Sequence, residues 1–233
     1  MKNLRKGWKR RVTHCVGLAL LSFCSAAPRA RAQSFRAAKV TSPPPQVLSA
    51  AVRDVLAREA LRVTGPSGVQ CDFWLRQAIP VAAGAKQDQE IAFWQIAEGT
   101  LIGAIRFPDN VLDYRGQPIG AGVYTLRYAL IPVDGSHQGV APPQRDFLLL
   151  GPATDDTSPN TITRDETLEM SRKVTRTRHP TVWSLAPSKA NAATLPGMTH
   201  QDDPDCWYLN FSLVFEGSRV TPAALVVYGN VQS

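Results

Sequence analysis

Histidine and cysteine are scarce in this chain, four of each among 233 residues, and no short motif gathers them. There is no Gly-x-Ser-x-Gly elbow to present a serine nucleophile and no His-Glu-x-x-His pair to hold zinc. Cys-x-x-Cys and the phosphate-cradling Gly-x-x-x-x-Gly-Lys loop are absent as well. Gly120-Ala121-Gly122 lacks the third glycine of a dinucleotide fingerprint and precedes a strand pattern, so it reads as a tight turn. No cofactor and no metal site is expected on these grounds. The apolar run from Cys15 to Ala27 is too short for a membrane span, which takes about 20 residues.

Acidic residues are missing altogether from the first 32 positions. Lys2, Arg5, Lys6, Lys9, Arg10 and Arg11 lead into the apolar run, and Ala30-Arg31-Ala32 follows with small residues at the two positions a signal peptidase reads. This order predicts a signal peptide over residues 1–32, cleaved before Gln33, with cleavage after Ala27 as the alternative. Arg10-Arg11 lacks the rest of a twin-arginine signal, and bulky Phe23 spoils the lipoprotein box at Leu21–Cys24. The expectation is a general export route to a periplasmic or extracellular location, without a lipid anchor.

Removing that segment changes the electrostatics. It holds eight of the 26 Lys and Arg and none of the 19 Asp and Glu, which leaves 18 against 19, or −1. The basic balance that would otherwise point to nucleic acid is discarded with the signal, so nucleic-acid binding is excluded.

Only Cys71 and Cys206 then remain. Two cysteines in an oxidising compartment predict one disulfide, with two separate buried thiols as the alternative. A bridge would close a loop of about 135 residues and contribute up to about 5 kcal/mol in the chain-entropy picture.

Ser42-Pro43-Pro44-Pro45-Gln46 is a stiff polar spacer, so residues 33–46 read as a Pro-rich flexible tail and 47–233 as a single domain. Val47, Leu48, Ala51, Val52, Val55, Leu56 and Ala60 recur at helical spacing and predict an amphipathic helix. Beyond it the period falls to two. Leu61–Thr64 and Val69–Leu75 flank Gly65-Pro66-Ser67-Gly68 as a hairpin, and Leu101–Phe107 is a further strand. Tyr124, Leu126, Tyr128 and Leu130 share one face while Thr125 and Arg127 share the other. Asp146–Leu150, Pro180–Leu185, Trp207–Phe215 and Ala223–Tyr228 complete the strands, with a helical turn near Arg164–Ser171 and long loops over 151–159 and 186–205. The pattern predicts an all-β fold, a β-sandwich or jelly-roll-like arrangement with one N-terminal amphipathic helix.

As a set, Trp74-Leu-Arg76, Gly99–Gly103, Asp113-Tyr-Arg-Gly-Gln117, Gly122–Tyr128, Asp134–Gly139, Arg145–Leu149 and His179-Pro180 carry a resemblance. Over residues 70–230 the chain resembles an uncharacterised family of secreted, β-rich bacterial proteins. The resemblance implies compartment and fold and brings no catalytic residue with it.

Polar groups are densest between Asp134 and Asp146, a segment stiffened by Pro142-Pro143. Binding groups concentrate on loops held by a rigid scaffold, so Asp134, His137, Arg145 and Asp146 are the candidate ligand-binding residues. Asp202, Asp203 and Asp205 crowd another loop but match no Ca²⁺ template, and Pro204 restricts it, so a solvated turn is expected. Among aromatics, Tyr208 alone stands on the outward phase of its strand, a thin platform for a sugar. The leading reading is a non-catalytic envelope protein that binds a small molecule, a glycan or a protein partner. The alternative is an extracytoplasmic, metal-assisted enzyme acting on a carbohydrate or other polar envelope component through His137 and nearby carboxylates.

Overall fold

The computed structural model describes residues 34–132 and 145–229. It is mostly β, as the period-two pattern predicted. Ten strands form one continuous sheet in which every neighbour is antiparallel: β1 (Arg36–Thr41), β2 (Glu59–Gly65), β3 (Gly68–Leu75), β4 (Leu101–Phe107), β7 (Gly122–Leu130), β8 (Asp146–Pro152), β9 (Trp183–Pro187), β12 (Val220–Tyr228), β11 (Asp205–Val214) and β10 (Gly197–Asp202). A separate two-stranded ribbon joins β5 (Val111–Leu112) to β6 (Pro118–Ile119). The large sheet curls until its edge strands β1 and β10 come within 8 Å, Cα to Cα. The all-β expectation therefore takes the form of one sheet rolled toward a barrel rather than two stacked sheets.

Alternation explains the roll. Leu61, Cys71, Phe73, Ile105, Phe107, Leu126, Tyr128, Leu148, Trp183, Phe211 and Leu225, drawn from eight strands around the sheet, are buried together in one cluster. Phe73 meets Phe211 edge-on at 5.3 Å, and Phe107 stacks on Trp183 at 5.2 Å. Bulky side chains thus fill the interior, each contributing about 1.5–3 kcal/mol on burial.

The structure differs from the sequence reading in four places. Arg36–Thr41, placed by the sequence in a flexible tail, is strand β1, because its backbone pairs with β2 from Arg36↔Thr64 to Thr41↔Glu59. The predicted helix shrinks to α1 (Ala50–Val55), capped by Ser49, whose hydroxyl accepts from Val52 N–H. It stops there because the backbone of 56–57 is drawn into sheet-type bonds, Leu56 bridging Arg76 and Ala57 N–H donating to Leu75 C=O. The segment 186–205, expected as a loop, contains β10. The turn near Arg164 grows into α2 (Arg164–Thr175), whose Thr163 and Glu166 form a reciprocal capping box.

Helices and loops cover the outer face. Leu48, Val52 and Leu56 pack on Trp74, Leu101 and Ala104. Residues 152–162 cross β7 and are pinned by Arg127, which is 1% exposed and donates to Asp156, Ser158 C=O, Asn160 C=O and Gly99 C=O. Gly99, at φ +80, is needed where that strap passes: a Cβ there would sit 1.9 Å from Ile162 O.

Cys71 and Cys206 are free and buried, and the expected bridge between them is not seen. Cys71 lies in the main interior cluster, whereas Cys206 packs with Tyr114, Phe147 and Val226 in a separate one.

Candidate functional site

Of the residues that sequence reasoning singled out, Asp134 and His137 lie outside the described residues. Asp146 is fully buried and faces the fold. Its oxygens accept from Ala92 N–H at 2.8 Å, Phe93 N–H at 3.0 Å and the Tyr128 hydroxyl at 2.6 Å. Burial, and then the Asp146 charge, push the Tyr128 hydroxyl well up, so it remains the donor. Arg145 donates through Nε to Ile131 C=O at 2.9 Å, and its Nη1 lies 3.8 Å from Glu90. These two residues fasten the base of the segment between β7 and β8 and the stretch 90–93 to the sheet.

A concave surface that the sequence did not reveal lies elsewhere, where β3, β11 and β12 meet the β5–β6 ribbon. This cleft, of about 490 Å³, is lined by Gln70, Asn110, Val111, Leu112, Pro118, Asp205, Val227, Tyr228 and Gly229. Its walls follow from local chemistry. Asp113 builds the ribbon: buried, it accepts from Arg115 N–H, Gln117 N–H, Gln117 Nε2 and Val182 N–H at 2.8–3.0 Å, tying the Asp113–Gln117 turn to the start of β9. That tie presents Leu112 to solvent, 56% exposed. Asn110 Oδ1 accepts from Ala121 N–H and closes the other end of the ribbon.

The opposite wall depends on a bulge. Tyr208 pairs with Val226 while Trp207 pairs with Tyr228, so Val227 is the extra residue and Tyr228 falls beside Trp207. Tyr228 lies 5.0 Å from Phe35, Phe35 lies 5.2 Å from Trp207, and Trp207 stacks on His200 at 4.7 Å. His200 sets its Nε2 2.7 Å from Asp205 Oδ1 and its Nδ1 3.2 Å from Asp202. Gly229 ends the wall at φ +97, where a Cβ would come within 2.1 Å of Asp205 O. Only glycine permits that approach.

A second hollow, of about 230 Å³, lies between Lys39 of β1, Glu59 of β2 and Phe211 of β11, with Arg76 and Pro196 also on its walls. Arg76 is committed there, donating to Ala78 C=O and Pro159 C=O. Among the described residues no group of three or more His, Cys, Asp or Glu is placed to hold a metal ion.

No sequence signal marks the bulge at Val227 that sets Tyr228 beside Trp207. Asp113-Tyr-Arg-Gly-Gln117 stood out only as part of the resemblance and not as one wall of a cleft. No protein-family model, curated protein or solved structure matches the chain.

Proposed function

We propose that this chain is an exported, non-catalytic binding protein, and that the cleft between the β5–β6 ribbon and Tyr228 is its ligand site. The observation that carries the reading is the composition of that cleft: exposed Leu112 and Tyr228 stand beside the polar side chains of Gln70, Asn110 and Asp205 on one concave surface. Binding sites combine apolar contact area with a few convergent polar groups, at volumes of about 300–1,000 Å³. The buried carboxylates are committed to the fold: Asp72 to Arg62 and Arg106, Asp156 to Arg127, Asp113 to its ribbon and Val182, and Asp146 to its three donors. The filled interior favours a surface site over a carrier cavity of the kind some barrels enclose.

Export is supported by the order of the first 32 residues, six basic positions followed by an apolar run and Ala30-Arg31-Ala32. A family of secreted, β-rich bacterial proteins remains the relationship we propose for residues 70–230.

Two measurements test the proposal. Expressed with its own leader in a Gram-negative host, the protein should appear in the periplasmic or extracellular fraction with Gln33 at its N-terminus; a cytoplasmic product still beginning at Met1 overturns the export reading. Thermal-shift screening against sugars, organic anions and amphiphiles should find stabilising ligands whose effect disappears in Leu112→Asp. Ligand stabilisation unchanged in that variant would place binding elsewhere.

A further inference from the structure

We infer that the cleft takes a neutral, hydroxyl-rich ring, the chemistry of a sugar unit, in preference to an anion or a purely apolar molecule. This rests on the binding reading above and is decided by which lining groups are free. Asp205 spends Oδ1 on His200, and its Oδ2 has no partner among the described residues. Asn110 uses its oxygen on Ala121 N–H, which leaves the amide nitrogen to donate. The Gln70 side chain makes no hydrogen bond among the described residues and supplies one donor group and one acceptor. The cleft thus offers two kinds of acceptor and two amide donors, a set that neighbouring hydroxyls can match because each hydroxyl both donates and accepts.

Charge excludes the first competitor. Among the described residues no Lys or Arg lines the cleft, and Asp205 places a carboxylate on its wall, so a bound anion meets repulsion from it. Desolvation excludes the second. An apolar ligand covering Gln70 and Asp205 would strand their polar atoms, at a cost of about 1–3 kcal/mol each and more for the charged group. A sugar ring avoids both penalties, since its C–H face lies against the Tyr228 ring and Leu112 while its edge meets the polar side. Aromatic rings that are apolar in body and polar at one end suit such mixed surfaces. A volume of about 490 Å³ leaves room for more than one ring.

The test titrates the full chain with three neutral disaccharides (maltose, cellobiose and N,N′-diacetylchitobiose), with citrate as the anion and with toluene as the apolar molecule, read by saturation-transfer NMR and calorimetry. At least one disaccharide should bind at millimolar concentration or below. Tyr228→Ala should weaken it at least tenfold, and Gln70→Ala, a substitution at a side chain that makes no hydrogen bond among the described residues, should weaken it severalfold without lowering Tm. If citrate or toluene saturates the cleft and the disaccharides do not, the sugar inference fails while the binding site stands. If none of the five binds, the inference falls together with the binding reading.

Discussion

Arg127 and Asp156 meet as a two-pronged pair, Nε to Oδ2 at 2.7 Å and Nη2 to Oδ1 at 2.6 Å, with both side chains only 2% exposed. Arg127 stands on the outward phase of β7, and Asp156 arrives from the strap that crosses it. The remaining guanidinium bonds go to backbone carbonyls of Gly99, Ser158 and Asn160. One side chain therefore satisfies acceptors from two loops that have no ladder of their own.

Breaking this pair on one side is expected to be costly. Asp156→Ala leaves a buried guanidinium without its counter-charge, and a loss of about 3–5 kcal/mol follows from the general behaviour of such pairs. Replacing both partners, Arg127→Met with Asp156→Leu, removes the stranded charge and should recover part of the loss. Urea unfolding of the single and double variants measures the difference. A double variant no better than Asp156→Ala would assign the cost to the strap carbonyls instead.

Asp146 invites a similar separation of roles, since the sequence marked it as a ligand group while its oxygens are taken up by Ala92, Phe93 and Tyr128. Asp146→Asn turns an amide nitrogen toward at least one of these donors and should cost about 1–3 kcal/mol. Hydrogen exchange at the Ala92 and Phe93 amides should accelerate with it. Unchanged stability and exchange in the variant would free Asp146 for a role in binding.

The alternation of β7 and β11 was legible because each strand turns its large apolar side chains to one side, so the period of two in Tyr124–Leu130 and Trp207–Phe215 reports the interior directly. The Gly65–Gly68 turn was legible for its own chemistry. What escaped notice depends on partners distant in the chain. Arg36–Thr41 has little apolar content and becomes a strand only because β2 offers a free edge. Gly197–Asp202 reads as loop by composition, and Trp207 and its neighbours give it a ladder. The cleft required a bulge at Val227 and a ribbon fastened by Asp113 to Val182, 69 residues away, and neither leaves a local pattern.

At the start of α2, Thr163 and Glu166 exchange hydrogen bonds, and the Thr163 side chain and then its backbone N–H hold the Glu166 carboxyl below its ordinary range. A group whose pKa is depressed on folding contributes stability above its unfolded value, and the contribution is lost as pH falls through the folded one. Glu166→Gln should therefore flatten the pH dependence of stability on the acid side of the ordinary Glu value. Thr163→Ala, which removes the cap itself, should cost about 1 kcal/mol at neutral pH. Thermal unfolding from pH 3 to pH 7, stated as a rough window around the Glu reference value, distinguishes the two. Parallel curves for wild type and Glu166→Gln would remove the capping box from the account.

The two thiols yield the last prediction. Burial, followed by the neighbouring Asp72 charge, pushes the Cys71 thiol up to about 12, and burial with Asp205 raises Cys206. Alkylation proceeds through the thiolate, so at pH 8 roughly one part in ten thousand of Cys71 is reactive even before access is considered. Iodoacetamide should leave Cys71 and Cys206 untouched in the native protein and modify both once the chain is unfolded, with no reductant required. Peptide mapping by mass reads each site separately. Full protection of both after unfolding, released only by a reductant, would show that a disulfide joins them. In the free-thiol arrangement the two sites lie in different buried clusters with no shared partner, so the stability losses of Cys71→Ala and Cys206→Ala should add within about 0.5 kcal/mol in the double variant. A bridge would instead make the second substitution nearly free once the first had been made.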